Sequence, residues 1–382
     1  MTDDKNVLET PSELAFDYKL IKLLGEGSYG KTYLAEDLHH GELVAIKALK
    51  AVKDHKSLDL FKREAEVLES LSIAGVPRFY KSIIPDNPFV NASYIIQEYV
   101  DYPSIQAIMA EKGKFSEADT LHILGKLTNI VNILQTQYHP PVIHRDIKPS
   151  NILAQVQQDS DGNDYHVFLI DFGSVSNPQK RSGGSTIAGT FGYMAMEQLQ
   201  GECTIQSDFY SLGATALHML TGVAPNMMES KGMALDYRSA IQEHAPETSE
   251  NMLELLGWLL ETTAVKRPFS ASELQMAISQ VKLGNHPRMK QDNSSPESFV
   301  MPEKIDARNW HYAKGTVWCI SVADNELGVG EVVYEYTFEA NGRCWMGQMP
   351  VKNLSSSSKK PCKCDVRYEP QDPRLNCLIS IG

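Results

Sequence analysis

The polar residues best suited to chemistry lie close together, within residues 142–153. This segment contains Asp146, Lys148 and Asn151 at spacings of two and three residues. Asp146 can accept the proton of an incoming hydroxyl group, and Lys148 can neutralise charge on a phosphoryl group during its transfer. Asn151 and Asp171 are suited to holding Mg²⁺, because hard cations prefer oxygen ligands. The pattern therefore predicts phosphoryl transfer.

A glycine-rich segment lies near the beginning of the chain, where residues 25–30 read Gly-Glu-Gly-Ser-Tyr-Gly. Glycine turns are common, and a dinucleotide-binding fold would need a helix after this one. Strand patterns on both sides instead favour a loop that folds over the phosphates of ATP, since glycine lets the backbone approach closely. The residues expected to contact ATP here are Gly25, Glu26, Gly27, Ser28, Tyr29, Gly30, Lys31 and Thr32.

The next strand pattern ends in Val-Ala-Ile-Lys, and its lysine, Lys47, could reach the α- and β-phosphates. A buried lysine needs a carboxylate to hold it. Glu64 lies one helical turn before Leu68, on the edge of the apolar face, whereas Glu66 lies with Ser70 on the polar face. We therefore expect Glu64 to pair with Lys47.

The elements that position these residues follow from hydrophobic periodicity. Strand patterns occupy residues 18–24, 31–35, 43–47 and 94–97. Helix patterns follow at residues 116–137, 207–220, 250–262 and 270–281. The expected fold class is α+β, with a small β-rich lobe before a larger α-rich lobe and ligands in the crevice between them.

Three further motifs follow in the second half of residues 16–282. Residues 189–197 read Gly-Thr-Phe-Gly-Tyr-Met-Ala-Met-Glu, residues 207–213 read Ser-Asp-Phe-Tyr-Ser-Leu-Gly, and residues 266–268 read Lys-Arg-Pro. With these motifs in this order, residues 16–282 resemble a eukaryotic-type protein kinase domain. The sequence of residues 189–194 is similar to that of bacterial members of the family. The resemblance implies a bilobal serine/threonine protein kinase that uses ATP and Mg²⁺ to phosphorylate protein substrates.

The same resemblance implies how adenine is held. Ala45 and Leu153 would enclose the base, Glu98 and Val100 would offer it backbone groups, and Gln97 would occupy the gatekeeper position. The side chains implied to form a stacked spine between the lobes are Leu68, His144 and Phe172.

Two structural pairings are also implied. Asp208 would brace the catalytic loop, and Arg267 would pair with Glu197. Two residues depart from the family pattern: Thr32 stands where valine is usual, and Met196 stands where proline is usual. Neither departure removes a group that touches phosphate or metal.

The activation segment implied by the resemblance lies between Asp171 and Glu197, includes Thr190 and Glu197, and carries three candidate phosphorylation sites, Ser182, Ser185 and Thr186. A phosphate on one of them could order the segment against Arg145, because phosphorylation adds about −1.5 to −2 charges. The alternative is a flexible glycine-rich loop with no regulatory role. Thr190, together with Lys148, matches the family pattern for serine and threonine over tyrosine.

Two other functions compete with an active protein kinase. A pseudokinase scaffold would typically lack Lys47, Asp146 or Asp171, and all three are present. A small-molecule kinase of related fold would usually lack the complete activation segment and the helix that carries Asp208. Both stay as alternatives.

Composition limits the partners. The formal net charge is −12, and an acidic chain is a poor ligand for nucleic acid. The first residues lack a basic region followed by an apolar core, and no apolar run approaches the ~20 residues of a membrane span. We expect a cytoplasmic protein whose six cysteines are reduced. The oligomeric state does not follow from the sequence.

The domain organisation expected is a polar leader over residues 1–15, a kinase domain over 16–283, a linker over 284–299 and a small β-rich domain over 300–382. Strand-like runs recur in this tail, with an Asn341-Gly342 turn. It loosely resembles small β domains of unknown function, and we expect it to bind or regulate. Its cysteines are expected as free thiols; the alternative is zinc bound by Cys362 and Cys364 with Cys344, Cys377 or His311.

Overall fold

The computed structural model describes residues 9–27, 30–49, 55–85, 87–88, 91–138, 141–159, 162–174 and 189–287, and the backbone of five strands between 311 and 381. By contacts the chain divides into two compact units, Met1–Lys290 and Gln291–Gly382. The serines and threonine at 182, 185 and 186, and the loop residues Ser28 and Tyr29, lie outside the described residues.

The first unit begins with a five-stranded antiparallel sheet. Its strands are β1 (Tyr18–Gly27), β2 (Gly30–Asp37), β3 (Leu43–Leu49), β4 (Phe79–Ile83) and β5 (Ser93–Glu98), in the order β1-β2-β3-β5-β4. Helix α1 (His55–Ser70) connects β3 to β4. The edge strand β4 was not predicted, because its residues are only half-buried or exposed and form no apolar run.

The two faces of this sheet pack against different partners. One face and α1 join the main core, to which α1 contributes Leu58, Phe61, Ala65 and Leu68. The other face carries a separate apolar cluster that includes Leu14, only 1% exposed. Leu14 reaches the sheet from a turn over residues 11–18, so the end of the expected polar leader contributes to the core of this lobe.

The rest of the first unit is mainly helical. Its helices are α2 (Ile105–Lys112), α3 (Glu117–Thr136), α4 (Met196–Leu199), α5 (Ile205–Thr221), α6 (Tyr237–His244), α7 (Glu250–Leu259) and α8 (Ala271–Lys282). Two hairpins accompany them, β6 (Ile152–Asp159) with β7 (Gly162–Leu169), and β8 (Ser230–Lys231) with β9 (Ala234–Leu235). The predicted small β-rich lobe and larger helical lobe are thus both present.

Side-chain caps set several helix starts where the sequence predicts them. The hydroxyl oxygens of Ser116, Ser249 and Ser270 accept hydrogen bonds from backbone N–H groups in the first turns of α3, α7 and α8. Helix α7 ends at Leu259, before the predicted residue 262. The carbonyl oxygens of Glu261 and Thr262 instead accept hydrogen bonds from Arg267.

The second unit contains β10 (His311–Asp324), β11 (Gly330–Ala340), β12 (Arg343–Val351), β13 (Cys362–Tyr368) and β14 (Asn376–Ile381). They pair antiparallel in the order β12-β11-β10-β13-β14. The Asn341-Gly342 turn and the side chains of the alternative zinc site lie outside the described part of the chain.

None of the helices in the described ranges combines the length and apolar character that a membrane span requires.

Candidate active site

Lys47 on β3 is held by two carboxylates in the cleft. Its Nζ lies 2.6 and 2.8 Å from the two carboxylate oxygens of Glu64 and 2.7 Å from Oδ1 of Asp171. Glu64 is only 4% exposed because it shares the packed side of α1, whereas Glu66 is exposed. The structure therefore brings Glu64, and not Glu66, to Lys47.

The charges of this group support one another. Burial alone would lower the pKa of Lys47, but the carboxylates of Glu64 and Asp171 outweigh burial and raise it. Burial would raise the pKa of Asp171, but the ammonium group of Lys47 outweighs it and lowers that pKa to about 2. Lys47 and Asp171 are therefore both charged at neutral pH.

A second group of contacts surrounds the carboxylate of Asp146. The Nδ2 amide of Asn151 donates to the backbone carbonyl of Asp146 at 2.9 Å and to its Oδ2 at 3.1 Å. The hydroxyl of Thr190 donates to Oδ1 at 2.8 Å, and Nζ of Lys148 lies 2.8 Å from Oδ2. Lys148 also donates to the Thr190 hydroxyl at 2.5 Å. Three polar side chains thus converge on one carboxylate.

The turn that carries Thr190 depends on two glycines. Gly189 and Gly192 have φ angles of 125° and 93°, which side-chain-bearing residues rarely adopt. A Cβ at Gly189 would lie 2.7 Å from the carbonyl oxygen of Arg145, and one at Gly192 would lie 2.7 Å from the backbone nitrogen of Asn226. Gly189 therefore lets this turn lie against the catalytic loop, and Gly192 lets it lie against the backbone at Asn226.

Asp208 on α5 supports the loop from beneath. Its two carboxylate oxygens accept the backbone N–H groups of His144 and Arg145, each at 2.9 Å. Burial raises the pKa of Asp208 to about 6, and the two N–H groups oppose that shift. Arg145 and Asp171 have φ angles of 70° and 66°, so the surrounding contacts hold non-glycine residues in the left-handed region.

A buried ion pair connects the end of the expected activation segment to the end of the lobe. Nη1 and Nη2 of Arg267 lie 2.7 and 3.1 Å from the two carboxylate oxygens of Glu197. The hydroxyl of Ser207 donates to the same carboxylate at 2.8 Å. Met196, in the place of the usual proline, is the first residue of α4 and leaves this pairing in place.

The spine residues lie between the two lobes. The rings of His144 and Phe172 pack edge to face with centroids 4.8 Å apart. Helix α1, which carries the buried Leu68, packs against the turn Phe172–Ser174.

The residues expected around the nucleotide lie on the cleft strands. Gly25, Glu26 and Gly27 end β1, and Gly30, Lys31 and Thr32 begin β2. Ala45 lies in β3 opposite Gln97, and Glu98 is the last residue of β5. The N–H of Glu98 donates to the carbonyl of Arg78 at 2.8 Å. Val100 follows β5, and Leu153 lies in β6.

The donor set fits a hard divalent cation. Asp171 supplies an ionised carboxylate, and Asn151 directs its amide nitrogen to Asp146, which makes the amide oxygen the available ligand. Among the described residues, no group of three or more His, Cys, Asp or Glu side chains forms a metal site by itself.

Two residues close to this site, Tyr193 and His218, were not predicted from the sequence to contact each other. The hydroxyl of Tyr193 and Nδ1 of His218 lie 2.6 Å apart, and both side chains are buried. A signal was available, because His218 is a titratable residue inside an otherwise apolar stretch of α5.

Comparison with known proteins identifies the family. The model of the protein kinase domain matches residues 18–278. The serine/threonine-protein kinase C of Synechocystis sp. is 31% identical over 288 residues, which cover 72% of this chain and 51% of that protein. PknA of Nostoc sp. is 34% identical over 56% of this chain and 38% of that kinase. PknB of Mycobacterium tuberculosis is 27% identical over a region that covers 64% of this chain and 38% of that kinase.

This chain spans about half the length, or less, of those relatives. The matching region contains the cleft, the catalytic loop and the paired residues described above. The resemblance inferred from the motifs is confirmed: the chain belongs to the protein kinase family and is similar to its bacterial serine/threonine members.

Proposed function

We propose that this protein is an active kinase that transfers the γ-phosphoryl group of ATP to serine or threonine hydroxyls of protein substrates. The observation that carries the proposal is the convergence of Lys148, Thr190 and Asn151 on the carboxylate of Asp146. This geometry places a proton acceptor beside a cation, as transfer to a hydroxyl requires.

Each polar residue has a separate role in this mechanism. Asp146 accepts the hydroxyl proton, and Lys148 neutralises charge that develops on the transferred group. Lys47, held by Glu64, orients the α- and β-phosphates. Asn151 and Asp171 would hold Mg²⁺, which neutralises phosphate charge when bound.

The remaining assignments extend the proposal to the rest of the kinase domain, residues 16–283. Ala45 and Leu153 enclose adenine, and the backbone at Glu98 and Val100 binds its edge. Phosphorylation within the activation segment orders it against Arg145.

The proposal for the rest of the chain is that residues 284–299 form a linker whose first residues, up to Pro287, stay packed on the end of the kinase unit. Residues 300–382 would form a small all-β domain that binds or regulates. The antiparallel pairing of β10–β14 supports this assignment.

The test is Asp146→Asn in the full chain. This change keeps the shape of the side chain but removes the proton acceptor, so phosphate transfer to itself or to a generic protein should fall by roughly 10²–10⁴. Radiolabelled transfer with Mg-ATP, followed by phosphoamino-acid analysis, measures both the rate and the choice of hydroxyl. Chelation of divalent cations should abolish transfer by the unaltered protein.

A matched control is Asp59→Asn, which alters an exposed aspartate on α1. It should transfer phosphate at the rate of the unaltered protein. If Asp146→Asn were equally fast, the catalytic assignment would be wrong. Phosphotyrosine as the main product would reject the serine/threonine assignment, and no transfer to any protein would favour a scaffold or a small-molecule kinase.

A further inference from the structure

Helix α5 contacts both sides of the proposed acceptor site. Beneath the catalytic loop, Asp208 accepts two backbone N–H groups, and the hydroxyl of Thr215 donates to the carbonyl of Ile147 at 3.2 Å. Beneath the glycine-flanked turn, the hydroxyl of Ser211 donates to the carbonyl of Tyr193 at 2.8 Å. One rigid helix therefore fixes the two segments relative to each other.

The contact between Tyr193 and His218 continues to the acceptor site. The backbone N–H of Tyr193 donates to the carbonyl of Thr190 at 3.0 Å and closes the turn. The hydroxyl of Thr190 in turn donates to Asp146. A change at His218 is thus connected to the proton acceptor through two residues.

The contact between Tyr193 and His218 is buried and uncharged. Tyr193 is 6% exposed and His218 is 4% exposed, so neither group can replace its partner with bulk water. Burial lowers the pKa of His218 to about 4, and burial together with the nearby charge of Asp146 raises the pKa of Tyr193. Both side chains are therefore neutral at pH 7 and joined by an uncharged hydrogen bond.

We propose that His218 is a positioning residue for the acceptor: through Tyr193 it holds the Thr190 turn against Asp146 and so fixes where the substrate hydroxyl lies. The inference rests on the proposed function and deepens it. The described hydrogen bond of His218 is to Tyr193, which is not one of the residues proposed to bind ATP or Mg²⁺.

The experiment compares three variants of the full chain: His218→Leu, His218→Asn and Tyr193→Phe. Leucine fills the site without a polar atom, whereas the side-chain amide of asparagine can place a polar atom near the position of Nδ1. His218→Leu and Tyr193→Phe should lower kcat/KM for a protein substrate by about tenfold to a hundredfold, while KM for ATP stays the same. His218→Asn should recover most of that loss, and the double variant should be no worse than the worse single variant.

A second measurement does not depend on activity. Amide hydrogen exchange in residues 189–193 should be at least about tenfold faster in His218→Leu than in the unaltered protein, with exchange in α5 unchanged. Unchanged exchange in that turn would overturn the positioning role even if the protein proved not to be a kinase. Equal impairment of the asparagine and leucine variants would also overturn it, because simple loss of packing would then explain both.

Discussion

At the scale of single residues, the environment of α1 distinguishes two glutamates that lie only two positions apart. Glu64 is buried beside Lys47, and Glu66 is exposed. Helical spacing from Leu68 was enough to predict this difference, because residues four apart lie on the same side of a helix. The position of Lys47 at the end of an apolar strand could likewise be predicted from the sequence.

The first prediction at this scale is that Glu64→Gln reduces kcat/KM for ATP by about tenfold to a hundredfold. A neutral amide loses the charge-assisted hydrogen bonds to Lys47, which are worth about 1.5–3 kcal/mol. Steady-state kinetics with varied ATP measures the loss. Glu66→Gln is the matched control on the same helix and should behave like the unaltered protein; equal effects of the two changes would remove Glu64 from the site.

The partner of Tyr193 could not be predicted in the same way. Periodicity places His218 on α5, but nearly every residue of that helix is buried, so its apolar pattern does not mark one side. The contact is made between residues 25 positions apart in the chain. Only the folded arrangement of α5 beneath the turn brings them together.

At the scale of elements, the long periodic helices were predicted and the short helices were not. Helices α3, α5 and α8 begin and end within about two residues of their patterns. Helix α2 buries only Ile105 and Met109, and α6 buries only Ile241. Helices this short bury only one or two side chains, and tertiary contacts decide the conformation of such segments.

The turn over residues 11–18 leads to the second prediction. Leu14→Ala removes a side chain that is 1% exposed from the outer face of the sheet, and should destabilise the protein by about 2–5 kcal/mol. Thermal or denaturant unfolding measures the change. The control is Phe16→Ala two residues away, where the side chain is 82% exposed. That change should stay within about 0.5 kcal/mol; equal losses would mean that Leu14 does not pack as described.

At the scale of the whole molecule, the contacts made by the residues after α8 determine where the chain can be truncated without destabilising the kinase unit. After α8 the chain still makes contacts: Nδ2 of Asn251 donates to the carbonyl of Gly284, and Nδ2 of Asn285 donates to Oε1 of Gln280. Pro287 is buried. The polar composition that predicted a linker from residue 284 did not reveal these contacts.

A protein ending after Pro287 should therefore fold, bind ATP and phosphorylate a generic protein substrate. A protein ending after Val281 should unfold at lower temperature, because it lacks the contacts of Gly284, Asn285 and Pro287. Thermal unfolding and transfer assays on both, beside the full chain, measure these differences. A protein ending after Pro287 that folds and binds ATP but cannot transfer phosphate would show that the tail completes the active site.

The apolar core described for α1 has a consequence for regulation. Phe61 and Leu68 belong to the core that continues into the large lobe, and Glu64 lies on the same side of the helix. A rotation that withdrew Glu64 from Lys47 would also bring apolar surface into water, at a cost of about 25 cal/mol per Å². Exposure of this apolar surface and loss of the Glu64–Lys47 ion pair would therefore occur together, in one conformational equilibrium. A partner that covered the apolar side of α1 would then also raise the fraction of molecules in which Glu64 and Lys47 are paired.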